Sequence, residues 1–522
     1  LIPFSIASVF LTSCARTPVQ RVAILPANVL VNDPSSDWLK IGVPIVLQQD
    51  LMTAHGFFPS GMANEANATK SGANQFMRTT VESRQGKIHV EATLVNAATQ
   101  KSIGVKSVDA PSVAAIIPAL NALAKQVDSS ATDFATKNQT ALQAFAGAAA
   151  EANPQNRFQL FGKAASTDPA FGLAYIAMLD MVGPTGEQNA KPFLDEAAKH
   201  RDAFTPYDKA KFDLLAIRLK HSTTAEQVKA AQAVLTVAPN DIDALAVLGN
   251  NRFLEGDVNG GETALNHALQ LSPSNESLQN QLAVAYLGAK RYADAHKILA
   301  RLDKIPASLP EMATCLLLQG DAAGANAAIE RFAGTISNAD LRPVLRATWQ
   351  AASGDRAKAI AALEGSQYPN KNLETLAMSE VAVWRLMDKD YVGAQKSTAR
   401  AQANPSSFST IATLLAGSSA PAADWRKTVE AVPGANEQTK RPLLAYGFFL
   451  GGHYAEAAQI WQQVVTASAG TDARANAMLA SSLDRAGKTA DARKIQIRPF
   501  VLELSDLYGA ISFTEMRRML TH

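Results

Sequence analysis

Two cysteines in 522 residues, Cys14 and Cys315, exclude a disulfide-framed fold. Charge of one sign is also missing: Lys+Arg 49 against Asp+Glu 47 leaves a formal +2, without a long basic run. That excludes a large nucleic-acid footprint, which needs clustered cations to displace counterions. Aromatic residues are only 7% of the chain. Those at helical spacing, Trp349, Trp384 and Trp461, read as core rather than as a stacking platform. The eight histidines are scattered without metal-ligand spacing, and neither GxSxG nor GxGxxG occurs. Gly487-Lys488-Thr489 lacks the first glycine of a phosphate loop, since Ser482 stands there, and reads as an inter-helix turn. No catalytic constellation, metal site or cofactor is expected. Cys315, inside Met312–Leu317, is expected to be a buried thiol.

What the sequence has is a repeat. Asp241 to Asn275 reads as two amphipathic helices joined by a tight turn at Gly256-Asp257 and closed by Pro273. Gly249, Gly261 and Ala268 would let two backbones cross closely, with Leu245, Leu248 and Leu265 filling the gaps. Leu245-x2-Leu248-Gly249-x2-Arg252, then Gly261-x3-Leu265, Ala268 and Pro273, resembles the tetratricopeptide pattern, with Leu for Trp, Arg for Tyr and Gly for the first Ala. Such a hairpin is too small to hold a core alone and must stack on a neighbour.

The spacing recurs. Pro239 and Pro273, Gly261 and Ala295, and Gly320-Asp321 and Gly354-Asp355 each lie one repeat length apart, and Ala457 and Ala492 nearly so. Roughly ten units are expected over 135–498. The Pro306–Asp340 and Ser406–Gln438 units are degenerate, with Trp425 in a shortened one. Residues 499–522 are expected to form a terminal cap or return segment over the apolar end-face, and Arg517-Arg518 a solvated helix end.

Upstream lies a different module, 19–128. Arg21–Pro26 reads as a buried strand, and Leu39, Val43, Val46, Leu47 and Leu51 as one side of a helix that Pro44 would kink or start late. Phe57-Phe58 begins another strand, and Asn64–Asn74 reads as a polar loop. Met77–Ser83 and Lys87–Val95 flank a turn, Ser102–Val108 follows, and a helix after Pro111 covers the sheet. Asp128–Thr132 is the expected linker. The stretches RVAILP, DW and NAATQ resemble the TolB amino-terminal/FlgO-like domains of bacterial envelope proteins, which implies an assembly or interaction module without transferable catalytic residues. The expected fold class is α+β: a small α/β amino-terminal domain followed by an all-α tetratricopeptide-like superhelical solenoid.

Residues 1–13 are almost wholly apolar and about half as long as a membrane span, as in the later part of a signal peptide. Leu11-Thr12-Ser13-Cys14 resembles the bacterial lipobox, which implies lipidation at Cys14, a short linker 14–18 and attachment to a membrane surface. Ala15, where inner-membrane lipoproteins carry Asp, implies the outer membrane, facing the periplasm. These features together suggest a non-enzymatic envelope lipoprotein that scaffolds protein or peptide partners. First helices would line the binding groove, with Asn250 and Asn280 offering donors and acceptors to an extended backbone. A binding component of an export or polysaccharide-assembly system is the alternative, and a hydrolase without a sequence-local motif a more remote one.

Overall fold

The computed structural model describes residues 19–182, 187–220, 222–401, 426–427, 429–430, 437–468, 470–504 and 508–521. Cys14 with the apolar stretch before it, Trp425 and most of the Ser406–Gln438 unit lie outside the described residues. The chain forms two compact units: Leu1–Ser222, Glu226–Leu248 and Asn266–Asn275 make the first, and Thr223–Ala225, Gly249–Leu265 and Glu276–His522 the second.

In the first unit a mixed sheet comes from β1 (Gln20–Ile24), β2 (Asn28–Leu30), β3 (Phe57–Gly61), β4 (Gln75–Arg84), β5 (Lys87–Asn96) and β6 (Ser102–Ala110). Its order is β3-β1-β4-β5-β6, with β2 pairing on β4. β1 runs parallel to β3 and β4, whereas β4, β5 and β6 are antiparallel. Gln85 and Gly86, both at positive φ (50° and 76°), make the two-residue turn whose twist suits the β4–β5 hairpin.

Helix α1 (Leu39–Leu51) contains Pro44 and nevertheless starts five residues before it. Proline cannot donate to the Lys40 carbonyl, and the Ala27 N–H takes that acceptor instead, at 3.0 Å. The 64–74 segment is not a loop throughout: Glu65–Lys70 forms helix α2. Asn64 caps it through the Asn67 N–H, with Glu65 in the first turn and Lys70 in the last. Helix α3 (Ile116–Val127) covers the sheet's inner face, burying Ile116, Ile117, Leu120 and Leu123.

The segment after Val127 is not a free linker. Ala131 and Phe134 are buried, and one continuous core runs from Val22 on β1 through Phe134 and Phe171 to Phe212. It therefore includes the hairpins α4 (Gln139–Ala150)/α5 (Pro154–Thr167) and α6 (Gly172–Val182)/α7 (Glu187–His200), and reaches α8 (Pro206–Leu219), which pairs with α9 (Thr224–Val237). The sequence boundary at 128 marks a change of secondary structure, while the core crosses it.

The hairpins continue as α10 (Ile242–Glu255)/α11 (Val258–Leu271), α12 (Glu276–Gly288)/α13 (Tyr292–Leu299), α14 (Leu309–Leu318)/α15 (Ala322–Thr335), α16 (Arg342–Ser353)/α17 (Arg356–Glu364) and α18 (Lys371–Met387)/α19 (Tyr391–Ala401). After the undescribed stretch come α20 (Glu437–Leu450)/α21 (Tyr454–Ala467) and α22 (Ala473–Arg485)/α23 (Thr489–Ala492). Each unit holds a solenoid-like run of such hairpins. From α10 onward every described first helix stops at a residue with positive φ: Gly256, Lys290, Gly320, Gly354, Lys389, Gly452 and Gly487. That left-handed residue ends one helix and turns the chain back. An aspartate then caps the second helix at Asp257, Asp321, Asp355 and Asp390, each accepting a backbone N–H three residues on.

The close approach expected of the small residues is present. A Cβ built on Gly249 would stand 2.6 Å from Leu265 Cγ and 3.0 Å from the Gly261 carbonyl oxygen. One built on Gly261 would stand 2.4 Å from Phe253 Cδ2. Trp349, Trp384 and Trp461 are all core residues. Helix α24 (Gly509–Thr521) closes the chain. No helix among the described residues is long and apolar enough to cross a membrane.

Candidate functional site

Binding on a helical array is expected on the first helices, and the second unit shows what their exposed side holds. Asn250 on α10 is half-buried and donates through Nδ2 to Gln281 Oε1 of α12 at 2.8 Å. Asn280 on α12 donates to Glu311 Oε1 of α14 at 3.4 Å. The two asparagines therefore belong to one ladder that ties consecutive first helices together. Asn280 Oδ1 and Glu311 Oε2 are buried without a hydrogen-bond partner among the described residues, and burial raises the Glu311 pKa.

The chain's own tail lies beside this ladder. Residues 496–503 have no helix or strand structure and carry the chain from α23 toward α24. Arg498 Nη2 donates to the Leu254 carbonyl, one turn beyond Asn250. The Pro499 carbonyl oxygen comes within 4.0 Å of where a Cβ would sit at Gly288, the last residue of α12. Helix α24 then packs on α16 and α22. Ile511, Phe513 and Met516 are fully buried there, with the Phe513 ring 6.2 Å from Trp349 and 6.1 Å from Phe500.

The polar anchors of α24 centre on Glu515, which accepts from Ser481 Oγ at 2.6 Å, Arg485 Nη2 at 2.6 Å and Arg518 Nε at 2.8 Å. Burial alone would raise the Glu515 pKa, but these donors outweigh it and hold the carboxyl below its usual range. Arg518 also reaches Asp484 at 2.7 Å, and Arg517 Nη1 donates to the Ser353 and Ala352 carbonyls at 2.9 and 3.2 Å. The expectation of a solvated Arg517-Arg518 pair is thus corrected: both arginines are half-buried and hydrogen-bonded to neighbouring helices.

One device appears twice. Leu254 lies in the last turn of α10, and Ala352 and Ser353 end α16. The last carbonyls of a helix have no acceptor role inside it and carry the negative end of its dipole. Arg498 Nη2 donates to Leu254, and Arg517 Nη1 to both Ala352 and Ser353, so each sets a charged nitrogen on those carbonyls. Sequence inspection had no signal for this, because backbone carbonyls leave no residue pattern.

The first unit gives a contrasting picture. Asp50 on α1 and Asp208 on α8 are fully buried, and Asp50 Oδ1 and Asp208 Oδ2 lack hydrogen-bond partners among the described residues. With its amide oriented nitrogen-inward, as the surrounding acceptors require, Asn121 on α3 would donate to Asp50 Oδ2 at 3.0 Å, and Gln49 Nε2 donates to Asp208 Oδ1 at 3.1 Å. Burial pushes Asp50 up to about 8, helped by Asp133 and opposed by Lys125. Burial likewise pushes Asp208 up to about 7, against the lowering contacts of Thr205, the Leu173 backbone and Gln49.

Other chemistry is sparse. Among the described residues no group of three or more His, Cys, Asp or Glu could hold a metal. Burial pushes the Cys315 thiol up to about 11, and its Sγ donates to the Tyr292 carbonyl at 3.3 Å. A cleft of about 510 Å³ opens along α15, α16 and α17. Arg346 and Glu330 on its wall pair with each other at 2.8 Å, and the Trp349 indole donates to Asn326 at 2.8 Å.

Comparison with known proteins places this geometry. The tetratricopeptide repeat family matches residues 252–314, the stretch from the end of α10 into α14. No curated protein sequence matches the chain. Among solved structures, that of Naa15/Naa10 bound to HypK-THB matches at 14% identity, covering 67% of this chain and 67% of that one, with a TM-score of 0.24. The human IFIT1 dimer with PPP-AAAA matches at 11% identity over 70% and 90% of the respective chains, with a TM-score of 0.31. The same human protein with m7Gppp-AAAA gives 13%, 63%, 72% and 0.28.

Proposed function

We propose that this protein is a non-enzymatic scaffold that holds protein partners on its tetratricopeptide-type hairpins while a lipid at Cys14 tethers it to the bacterial outer membrane, facing the periplasm. The observation that supports it most is the repeat itself. Hairpins with left-handed turns follow one another, and 252–314 matches the tetratricopeptide family. An array of this kind offers a long row of equivalent helix surfaces, and partner recognition by such rows is a matter of surface rather than of a reactive centre. The buried thiol and the self-satisfied ion pairs are in keeping with that reading. Asn250 and Asn280 would contribute through whatever hydrogen-bonding capacity their neighbours leave open.

The test is crosslinking in the native cell followed by mass spectrometry, comparing wild type with Cys14→Ala. The expected result is a reproducible set of envelope proteins, reduced or lost when Cys14→Ala releases the chain from the membrane fraction. A wild-type experiment that captures envelope glycans and no protein would turn the assignment toward polysaccharide assembly. An unchanged membrane fraction for Cys14→Ala would remove the lipid tether.

A further inference from the structure

The tail shows what kind of segment the first-helix side of the second unit accepts. Residues Gln496-Ile497-Arg498-Pro499-Phe500-Val501-Leu502 lie without regular structure between two helical elements. Pro499 and Leu502 are buried, while Arg498 and Phe500 are half-buried. The arginine donates to α10 at the orphaned carbonyl of Leu254. Its other terminal nitrogen, Nη1, is buried without a partner among the described residues. The proline removes a donor that would otherwise need an acceptor and fixes φ near its extended value. Gly288 on α12 presents bare backbone to the strap at the Pro499 carbonyl.

The two parts of the tail are held unequally. Helix α24 buries Ile511, Phe513 and Met516 completely and adds the Glu515 cluster. Among the described residues the strap makes one side-chain hydrogen bond to α10, while Phe500 N–H donates to Met516 Sδ at 3.2 Å and Glu503 pairs with Arg474 at 2.7 Å. A segment without a regular backbone hydrogen-bond ladder can lift locally while the fold persists.

We infer that the surface formed by α10 and α12 around Leu254 and Gly288 is a peptide site, filled in cis by residues 496–502, and that its partner is an extended segment with an Arg-Pro-aromatic core. The inference rests on the protein-scaffold reading and names the recognition chemistry for it. Guanidinium on a helix C-terminal carbonyl gives the specificity: its charge meets the negative end of the α10 dipole and Nη2 donates to the Leu254 carbonyl. The adjoining proline and aromatic residue supply apolar contact in a preformed extended shape. The cis strap competes at an effective concentration on the order of millimolar, which sets the affinity an outside partner must beat.

The experiment titrates a fluorescent synthetic peptide, Gln-Ile-Arg-Pro-Phe-Val-Leu, into the full chain and into the full-length Arg498→Ala variant. Arg498→Ala is expected to bind at least about tenfold more tightly, because its own strap competes less. The same peptide with alanine for arginine is expected to lose that binding. Hydrogen exchange on wild type with saturating peptide reads the site without a variant. Amides of 496–503 should exchange faster while those of α24 stay protected. Equal binding to both proteins, binding to neither, or no exchange change at 496–503 with millimolar peptide would each overturn the inference. Crosslinked partners retained equally by wild type and Arg498→Ala would leave the scaffold reading standing while sinking this site.

Discussion

The two ends of the chain use opposite electrostatics to bind non-repeat structure to helix hairpins. In the first unit Asp208 of α8 accepts from Gln49 of α1, and Asp50 of α1 is buried against α3, neither with a cationic hydrogen-bond partner among the described residues. In the second unit α24 meets α16 and α22 through Glu515, Asp484 and three arginines. Removing a carboxylate from water is costly; a cation compensates in one case, and protonation answers in the other. The difference teaches that burial alone does not fix the sign of a group's influence on folding. Its partners do, and the two units should answer acid and base in opposite ways.

The largest expected effect comes from apolar packing, and it localises the comparison. Phe513→Ala removes a fully buried ring between Trp349 and Phe500 and should cost about 4 kcal/mol. Hydrogen exchange should show the loss in α24, α16 and α22, while α1, α3 and β4 keep their protection. Equal loss of protection in the sheet would mean that the units fold as one body, and the comparison would fail.

Next is the acid-side test of the first unit. The Asp50 carboxyl binds its proton more tightly folded than unfolded, with a folded value of about 8 against 3.8. Its stabilising contribution is therefore complete below about pH 4 and is lost as pH rises toward 8. At 1.36 kcal/mol per unit, wild type should lose about 3 kcal/mol more than Asp50→Asn between pH 5 and 8. Lys125 and Asp133 face the same group and act in opposite directions. Urea melts of both proteins across that range measure the difference, and parallel curves would show that Asp50 is ionised in the folded state.

Glu515 sharpens the contrast with the reverse sign. Its folded pKa is lowered from 4.5, so its contribution is present above the unfolded value and disappears as pH falls through the folded one. Glu515→Gln should cost about 2 kcal/mol at pH 7, discounted because its arginine partners are partly exposed. The penalty should shrink toward zero in strong acid. A cost independent of pH would assign the cluster to shape rather than to charge.

How much of this was legible varies with where the information resides. The hairpin frame was readable because turn glycines and close-packing small residues cannot be swapped freely. Gly249, Gly261, Gly320 and Gly354 each mark a backbone demand, and the family match at 252–314 overlaps the best-patterned stretch over 252–275 and continues beyond it. Helix α2 was missed although Asn64, Glu65 and Lys70 carry cap and dipole signals, because small polar residues hid its one buried position, Ala68. Strand β2 is three residues long, too short for periodicity to speak. The bond from Ala27 that lets α1 run through Pro44, and the arginine contacts of the tail, end on backbone carbonyls. Every residue has one, so the sequence records the donor and leaves the acceptor blank.

The smallest expected effect bears on those unrecorded acceptors. Arg517→Ala should cost about 1 kcal/mol, the net value of hydrogen bonds from a charged donor that is partly desolvated. Arg517→Lys should restore part of it, because Nη1 alone makes both contacts and an ammonium also carries several donors, though on a differently shaped stem. Full rescue by lysine would show that only positive charge near the end of α16 matters, as a dipole argument predicts. Partial or absent rescue would show that hydrogen-bond geometry decides. The same distinction then applies to Arg498 at the end of α10, where it determines whether an outside peptide must carry arginine or merely a cation.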